Sequence, residues 1–241
     1  MSNTATVLAF DFGASSGRAI RAVYDGQNLT YEEIHRFENV PIEKDGHLCW
    51  DVETLLKEIH TAIQKAGTFD SLGFDTWGVD FGLLDADGHL LANPVHYRDA
   101  RTNGKPEQAA ARMPAEELYA HTGNQIMAIN TLFQLLALRE QEPELLQKAE
   151  QVLFMPDLFA ALSTSQMLDP RTGQWSREVL VAYGLPENRF APIVASGTVT
   201  GTLANSAKII AVAGHDTQCA SAAMPCAEED AEHTAFLSCG T

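Results

Sequence analysis

The order of strand-like and helix-like segments is the feature of this sequence that most restricts its fold. Three short segments rich in β-forming residues come first, at Thr6–Asp11, Arg18–Tyr24 and residues 29–38. Turn-forming residues separate them, at residues 12–17 and at Asp25-Gly26. Segments so close in sequence predict three antiparallel strands at the start of the chain.

An amphipathic helix follows these strands. Between residues 51 and 67, apolar residues recur at helical spacing, at Val52, Leu55, Leu56, Ile59 and Ile63. Asp51 suits the N-cap of this helix, and Gly67 suits its C-terminal stop. Two more predicted strands come next, one approaching Asp75 and one beginning at Phe81. Strands, then a helix, then strands indicate an α/β protein.

The second half of the chain is predicted to be richer in helix. Residues 115–162 favour mainly helix, broken near Gly123 and at Pro143 and Pro156, and residues 174–185 favour another short helix. A strand is predicted at residues 208–214, then a helix of small residues at Gln218–Met224 and a last strand at residues 234–238. No repeat or linker divides the chain, so we expect a single domain.

Composition excludes several classes of function. The 241 residues carry a formal net charge of −16, whereas nucleic acids are bound by clustered positive charge. A membrane-spanning helix needs roughly 20 consecutive apolar residues, and no such run occurs. The N-terminus also lacks the basic region of a signal peptide. We therefore expect a cytoplasmic protein with no nucleic-acid or membrane partner.

The first candidate site is the segment DFGASSGR, residues 11–18. A carboxylate, Asp11, ends a buried strand, and small residues follow whose backbone N–H groups can point into one concavity and bind phosphate. Gly13 and Gly17 permit close approach of the backbone, while Ser15 and Ser16 add hydroxyl donors. The segment is not a Walker loop, and an ordinary hairpin turn is the alternative.

The second candidate site is DTWGVDF, residues 75–81. Burying two acids in an apolar stretch is costly unless polar partners meet them, and a ligand with several hydroxyls would supply such partners. Trp77 offers a flat face, Gly78 allows backbone approach, and Asp80 can accept hydroxyl hydrogen bonds. The alternative is a turn between core strands, with Trp77 anchoring the core.

Two further segments follow strands near the C-terminus. GHDT, residues 214–217, lies between a strand and a helix, where ligands collect in open α/β sheets. Asp216 there can act as a base on a hydroxyl group or simply cap the helix. SCGT, residues 238–241, repeats the strand-then-small-residue pattern and suggests a second phosphate contact. The charged segment at residues 97–102 favours an ion-pair cluster, with closure over a polar substrate as its alternative.

Together, these segments resemble one known family. The order and spacing of DFGASSGR, GFDTWGVDFGLLD, YRDARTNG, NTLFQLLAL, AVAGHDTQCASA and FLSCGT are similar to those of the FGGY carbohydrate kinases, and most of all to their rhamnulokinases. The resemblance covers nearly the whole chain. It implies an actin-like, ribonuclease-H-like ATPase fold, with a mixed sheet flanked by helices. Residues 1–241 would form the N-terminal lobe of a two-lobe sugar kinase.

The resemblance also implies a reaction and its residues. The reaction is phosphorylation of the primary 1-hydroxyl of L-rhamnulose by ATP with Mg²⁺. Phosphate-binding positions of the family fall on Ala14, Ser15, Ser16, Gly17 and Arg18, with Thr241 as a second nucleotide contact. Asp11 corresponds to the carboxylate near Mg²⁺. Sugar-binding positions fall on Gly78, His215, Asp216 and Thr217, and Asp216 matches the catalytic base.

Two departures from the family bear on activity. Family members are about twice as long, and the chain has no counterpart of their C-terminal, nucleotide-binding lobe. It is also shorter than the family pattern around Phe159–Gln166 and between Thr202 and Lys208. We therefore expect a fragment with little kinase activity by itself. The alternatives are another deoxy-ketose kinase such as an L-fuculokinase, a non-catalytic sugar-binding module, and an actin-like or chaperone-like ATPase.

Overall fold

The fold is taken from a computed structural model, which describes residues 4–158, 167–213 and 216–223. The strands are β1 Ala5–Phe12, β2 Ser16–Tyr24, β3 Leu29–Glu38, β4 Ile42–Lys44, β5 His47–Cys49, β6 Ser71–Thr76, β7 Phe81–Leu84, β8 Gln151–Phe154, β9 Leu168–Asp169, β10 Gln174–Trp175, β11 Val199–Thr202 and β12 Lys208–Ile210. The α-helices are α1 Val52–Ala66, α2 Lys105–Ala109, α3 Ala115–Thr122, α4 Thr131–Gln141, α5 Pro143–Lys148, α6 Met155–Leu158, α7 Arg177–Tyr183 and α8 Asp216–Ala222. Short 3₁₀ turns occupy Ala100–Thr102 and Glu187–Arg189.

A mixed six-stranded sheet organises the first part of the chain. Its strand order is β11-β12-β6-β1-β2-β3, with β1, β6 and β12 parallel and the remaining pairs antiparallel. The opening three-stranded meander is as predicted. The parallel strands β1 and β6 end side by side at the same edge of the sheet. This α/β architecture, with a mixed sheet and flanking helices, confirms the predicted fold class.

The helix α1 covers one face of this sheet, and its limits are those that the sequence predicts. The Asp51 carboxylate accepts the Thr54 N–H at 3.1 Å, which caps the N-terminus. Gly67 ends the helix with a φ of 68°, a conformation that favours glycine. Leu55 and Ile59 of α1 pack on Phe10 and other aromatic residues of the sheet. The short helix α8 packs near β6, where its Cys219 lines the opposite face.

A second hydrophobic cluster lies beyond the sheet. It joins strands β7 and β8 to helices α3, α4 and α7, and most of α4 is buried. Within this cluster, strand β7 pairs with β8 and not with β6. The two clusters meet where the chain passes from β6 to β7, and this passage is the segment DTWGVDF.

One predicted helical region contains a strand. We expected residues 115–162 to be mainly helical, with breaks near Gly123 and at Pro143 and Pro156, but β8 runs antiparallel to β7 within that range. Both of its inward residues, Val152 and Phe154, are buried. A four-residue apolar segment has no period of its own, so tertiary pairing decides its conformation. A second correction concerns residues 174–185, where the predicted helix begins only at Arg177, after the strand β10.

The chain is shorter than the family pattern at two places, and the structure describes one of them. Between Thr202 and Lys208, a tight turn joins β11 to β12, closed by the Leu203 N–H donating to the Ala207 carbonyl at 2.8 Å. Residues 159–166 lie outside the described residues, as does the predicted strand at 234–238. Within the described ranges, no helix combines the length and apolar character needed to cross a membrane.

Candidate functional site

The turn between β1 and β2 carries the predicted phosphate-binding residues, and Asn39 holds its shape. The Gly13 N–H donates to the Ser16 carbonyl at 2.9 Å and closes the turn. Asn39 is buried, and its Nδ2 donates to the Gly13 carbonyl at 2.9 Å. The Asn39 backbone N–H donates to the Ser15 carbonyl at 3.0 Å. Ala14 is half-buried and Ser15 exposed, so the loop presents its tip to solvent.

Asp11 lies between two charged neighbours at the end of β1. It is in register with Arg18 on β2 and with Asp75 on β6. Arg18 Nε donates to Asp11 Oδ2 at 2.7 Å. Because neighbours in register project to the same side of a sheet, the Asp11 and Asp75 carboxylates share one face. Mg²⁺ prefers oxygen ligands, so Asp11 suits the predicted metal position, with Asp75 beside it.

A groove of about 420 Å³ runs along this face of the sheet. Asp11 and Asp75 line it at the strand ends, and Val7 and Ala9 line it deeper in the sheet. Cys219 of α8 also lines it. The groove thus brings the two acids and α8 to one side of the sheet, at the strand end where the turn between β1 and β2 begins.

The residues predicted from GHDT are only partly described. Asp216 is the first residue of α8, so it lies within the helix and not at the preceding cap position. Thr217 is exposed in the first turn of α8. The side chain of Asp216, all of His215 and all of Thr241 lie outside the described residues. The roles predicted for these three residues stay predictions.

Gly17 is glycine for a reason that the sequence did not indicate. It is buried at the start of β2, in register with Phe37 on β3. A Cβ at this position would overlap the Phe37 ring. The space that a side chain at position 17 would occupy is therefore filled by an aromatic side chain from within the protein.

The predicted sugar-binding residues Trp77 and Asp80 meet in the interior. Asp80 has no exposed surface, and Trp77 is 7% exposed. Asp80 Oδ2 accepts three N–H groups, from Trp50 Nε1 at 2.6 Å, Trp77 Nε1 at 3.1 Å and the Tyr97 backbone at 3.1 Å. Asp80 Oδ1 accepts Gln134 Nε2 at 2.7 Å. Because protein groups surround Asp80, it reaches a ligand only through the residues that it holds.

Burial changes the protonation of this carboxylate. Desolvation raises the pKa of Asp80 to about 6, against the opposing effect of hydrogen bonds from Trp50, Gln134 and Tyr97. All its contacts are donors, so the ionised form matches its surroundings at neutral pH. A protonated Asp80 would have to direct a hydrogen toward groups that carry hydrogens themselves.

His96 completes a stack of three rings around Trp50. The Trp50 ring lies 3.9 Å from that of Trp77 on one side and 4.1 Å from that of His96 on the other, measured between centroids. Burial, with a contribution from the charge of Arg98, lowers the pKa of His96 to about 4. His96 Nδ1 accepts the Arg98 backbone N–H at 3.0 Å, which requires this nitrogen to be unprotonated.

The charged segment at residues 97–102 has an internal role in this structure. Arg101 is 9% exposed, and its Nη2 donates to Gln134 Oε1 at 3.0 Å. Asp99 accepts the backbone N–H groups of Leu48 and Arg101, at 2.8 and 2.9 Å. These contacts support the structural interpretation of this segment over closure on a substrate.

Sequence reasoning missed three residues of the site. Trp50 and Gln134 contact Asp80, and Asn39 fixes the turn between β1 and β2. It placed Asp75 in the candidate sugar segment, whereas the structure sets it beside Asp11. Trp50 and Gln134 are polar-tipped residues in otherwise apolar segments, and this is the signal that points to a buried partner. The identity of that partner required the tertiary structure, because Gln134 and Asp80 are 54 residues apart in sequence.

Known structures share the fold of this chain. A carbohydrate kinase from Novosphingobium aromaticivorans superposes with a TM-score of 0.76 at 19% identity, covering 92% of this chain and 50% of that one. A gluconate kinase from Lactobacillus acidophilus superposes with a TM-score of 0.74 at 17% identity, covering 88% of this chain and 48% of that one. At such identities the likeness concerns the fold, and it confirms the actin-like, ribonuclease-H-like architecture.

Sequence comparison identifies nearer relatives. A rhamnulokinase from Bacteroides thetaiotaomicron is 39% identical over 259 residues, covering 97% of this chain and 53% of the relative. A rhamnulokinase from Klebsiella pneumoniae is 38% identical over 256 residues, covering 97% and 52%. The chain thus spans about half the length of the curated relatives it matches. Residues 6–222 match the N-terminal domain of the FGGY family of carbohydrate kinases, and the chain belongs to this family.

Proposed function

We propose that this chain supplies the sugar- and phosphate-binding half of a kinase that transfers the γ-phosphoryl group of ATP to the 1-hydroxyl of L-rhamnulose. The observation that carries the proposal is the 38–39% identity to two rhamnulokinases along nearly the whole chain. The grouping of Asp11, Asp75 and α8 on one face of the sheet supports it. On this proposal, the full-length protein is cytoplasmic and acts in L-rhamnose breakdown.

The roles of the residues follow from their chemistry. Asp216 accepts the proton of the sugar hydroxyl as its oxygen attacks phosphorus, a step worth on the order of 10²- to 10⁴-fold in rate. The sugar is held by Trp77, Gly78, His215 and Thr217. Asp80 does not contact the sugar, but it holds the Trp77 ring in place. Residues 14–18 and Thr241 hold the phosphates, and the Arg18 charge favours them.

The proposed site must overcome the charge of the protein. A net charge of −16 repels ATP, so attraction has to be local. Arg18 and the backbone N–H groups of the hairpin offer donors at the site. Mg²⁺, when bound beside Asp11, neutralises phosphate charge. Beyond proton transfer, the residues of this chain orient the two substrates, because phosphoryl transfer requires little covalent chemistry from the protein.

The substitution Asp216→Asn in the full-length protein tests the proposal. We expect phosphorylation of L-rhamnulose in a coupled assay to fall at least about 100-fold, with sugar binding by calorimetry largely kept. Asp87→Asn, at an exposed turn, is the matched control and should leave the turnover unchanged. Unchanged turnover in Asp216→Asn would remove this residue from the mechanism. A substrate panel that includes L-fuculose distinguishes the alternative deoxy-ketose kinases.

The match to only half of each relative favours a second candidate, a sugar-binding module without turnover. Separate calorimetric titrations of this chain with L-rhamnulose and with Mg-ATP distinguish the two. Sugar binding without a nucleotide response favours the module. Sustained ATP-dependent phosphorylation by the 241-residue chain would contradict our expectation that it has little activity by itself.

A further inference from the structure

A buried chain of hydrogen bonds connects Arg101 to residues 76–80, which we call the sugar loop. Arg101 Nη2 donates to Gln134 Oε1 at 3.0 Å, and Gln134 Nε2 donates to Asp80 Oδ1 at 2.7 Å. Arg101 can only donate and ionised Asp80 can only accept, so they fix the orientation of the Gln134 amide between them. Exchanging its oxygen and nitrogen would break both bonds.

The sugar loop is also attached to the same side chains through its backbone. The Val79 carbonyl accepts Thr131 Oγ1 at 2.6 Å and Gln134 Nε2 at 3.3 Å. Thr76 Oγ1 donates to the Trp77 carbonyl at 2.8 Å within the loop. Helix α4, which carries Thr131 and Gln134, therefore holds the backbone on one side of Gly78. The Asp80 carboxylate holds the Trp77 indole on the other.

Trp50 links the two parts of this arrangement. It is fully buried, stacks on Trp77 and donates to the same Asp80 oxygen as Trp77 does. A change in the Asp80 carboxylate therefore acts on both indoles at once. No role in the reaction follows from the family resemblance for Trp50, Gln134 or Arg101.

We propose that Asp80, held by Gln134, Arg101 and Trp50, is a positioning residue that sets the Trp77 ring and the Gly78 backbone in the geometry that the sugar requires. The proposal rests on the proposed function, because it assumes that this loop contacts the sugar. On this proposal Asp80 does not contact the substrate. Its carboxylate acts on the sugar only through Trp77. Loss of its charge weakens the acceptor that both indoles share and adds a hydrogen that faces other donors, so the loop loses its fixed shape.

The groups around Asp80 predict a simple pH dependence. Arg101 is the charged group acting on it across Gln134, and burial lowers the pKa of Arg101 from an ordinary value that lies far above neutrality. His96, on the far side of Trp50, has its pKa lowered to about 4. The indoles, the Gln134 amide and the Tyr97 N–H do not titrate near neutrality. A transition near pH 6 that involves both indoles therefore reports on Asp80.

Tryptophan fluorescence measures this transition. The chain has three tryptophans, and Trp175→Phe removes the one whose Nε1 donates elsewhere, to the Ala191 carbonyl. In this background we expect a midpoint near pH 6 that Asp80→Asn abolishes. Gln134→Met, which keeps the length of the side chain but loses the donor, should raise the midpoint by about one pH unit. Trp50→Phe keeps a ring and loses its N–H, and should shift the midpoint in the same direction.

Binding of L-rhamnulose to the same variants, followed by calorimetry, tests the positioning role. In the Trp175→Phe reference, the affinity should fall about ten-fold between pH 7.5 and 5, and Gln134→Met or Trp50→Phe should move this fall to higher pH. A merely structural role would lower stability without moving the pH profile.

Three results have definite consequences. Unchanged fluorescence midpoints in both folded variants overturn the proposal, and so does an unmoved pH profile of sugar affinity. Shifted midpoints in a chain that binds no L-rhamnulose support the loop network and count against the proposed sugar. Trp50→Phe keeps the test available if Gln134→Met does not fold, as checked by circular dichroism.

Discussion

Asp80 and His96 contact the same indole, and burial shifts their pKa values in opposite directions. The Trp50 N–H donates to Asp80, and the His96 ring stacks on the Trp50 face. The pKa of Asp80 is raised to about 6 and that of His96 is lowered to about 4. In both cases the buried environment favours the neutral form. Their contributions to stability therefore oppose each other across the same range of pH.

Asp80→Asn should make the chain more sensitive to acid. In the native chain Asp80 binds its proton more tightly than in the unfolded chain, so its contribution to stability falls by about 3 kcal/mol as pH rises from about 4 to 6. Without this titration, nothing offsets the loss of stability that His96 causes as the pH falls. We expect the wild-type-minus-variant difference in unfolding free energy, from urea titrations, to decrease as pH rises across this range. A constant difference would contradict the raised pKa.

His96→Phe should have the opposite effect on the pH profile. The depressed pKa of His96 gives stability that is present above about pH 6.5 and is lost, by about 3 kcal/mol, as pH falls through about 4. Phenylalanine keeps a ring against Trp50 and cannot be protonated. The advantage of the wild type in urea unfolding should therefore shrink as the pH is lowered. His60→Phe, at an exposed position of α1, is the control for the loss of a histidine and should not reproduce this trend.

Gly17→Ala should destabilise the chain by about 1–3 kcal/mol, because the new methyl group overlaps the Phe37 ring. The urea midpoint measures this loss. Phe37→Leu in the same chain removes the overlapped ring atoms, so the double variant should lose less than the sum of the two single losses. Strictly additive losses would show that Gly17 is needed for another reason, such as close approach of a phosphate.

Arg18→Gln should weaken Mg-ATP binding with little change in the urea midpoint. Its partner Asp11 is partly exposed, and exposed ion pairs contribute little to stability. Arg36→Gln is the matched control, since Arg36 is in register with Arg18 on the next strand and pairs with Glu33. Calorimetry should show weaker nucleotide binding for Arg18→Gln alone. Equal effects of the two substitutions would indicate only general attraction to positive charge.

Local pattern was enough to predict the elements that carry the site. Helix α1 lies where the apolar spacing and the caps at Asp51 and Gly67 place it, and the opening strands follow their turn residues. These features depend on neighbours a few residues away. The strand β8 was missed, because a short apolar segment takes its conformation from a distant partner.

The sequence by itself determined the chemistry available to this protein: small residues after Asp11, a tryptophan and an acid in DTWGVDF, and the resemblance that these motifs carry. Only the tertiary structure decided how the groups are used. It buried Asp80 among N–H donors, placed Asp75 beside Asp11 and filled the space at Gly17 with Phe37. The reason is physical: hydrogen bonds and desolvation depend on what surrounds a side chain in space, and residues far apart in sequence supply those surroundings.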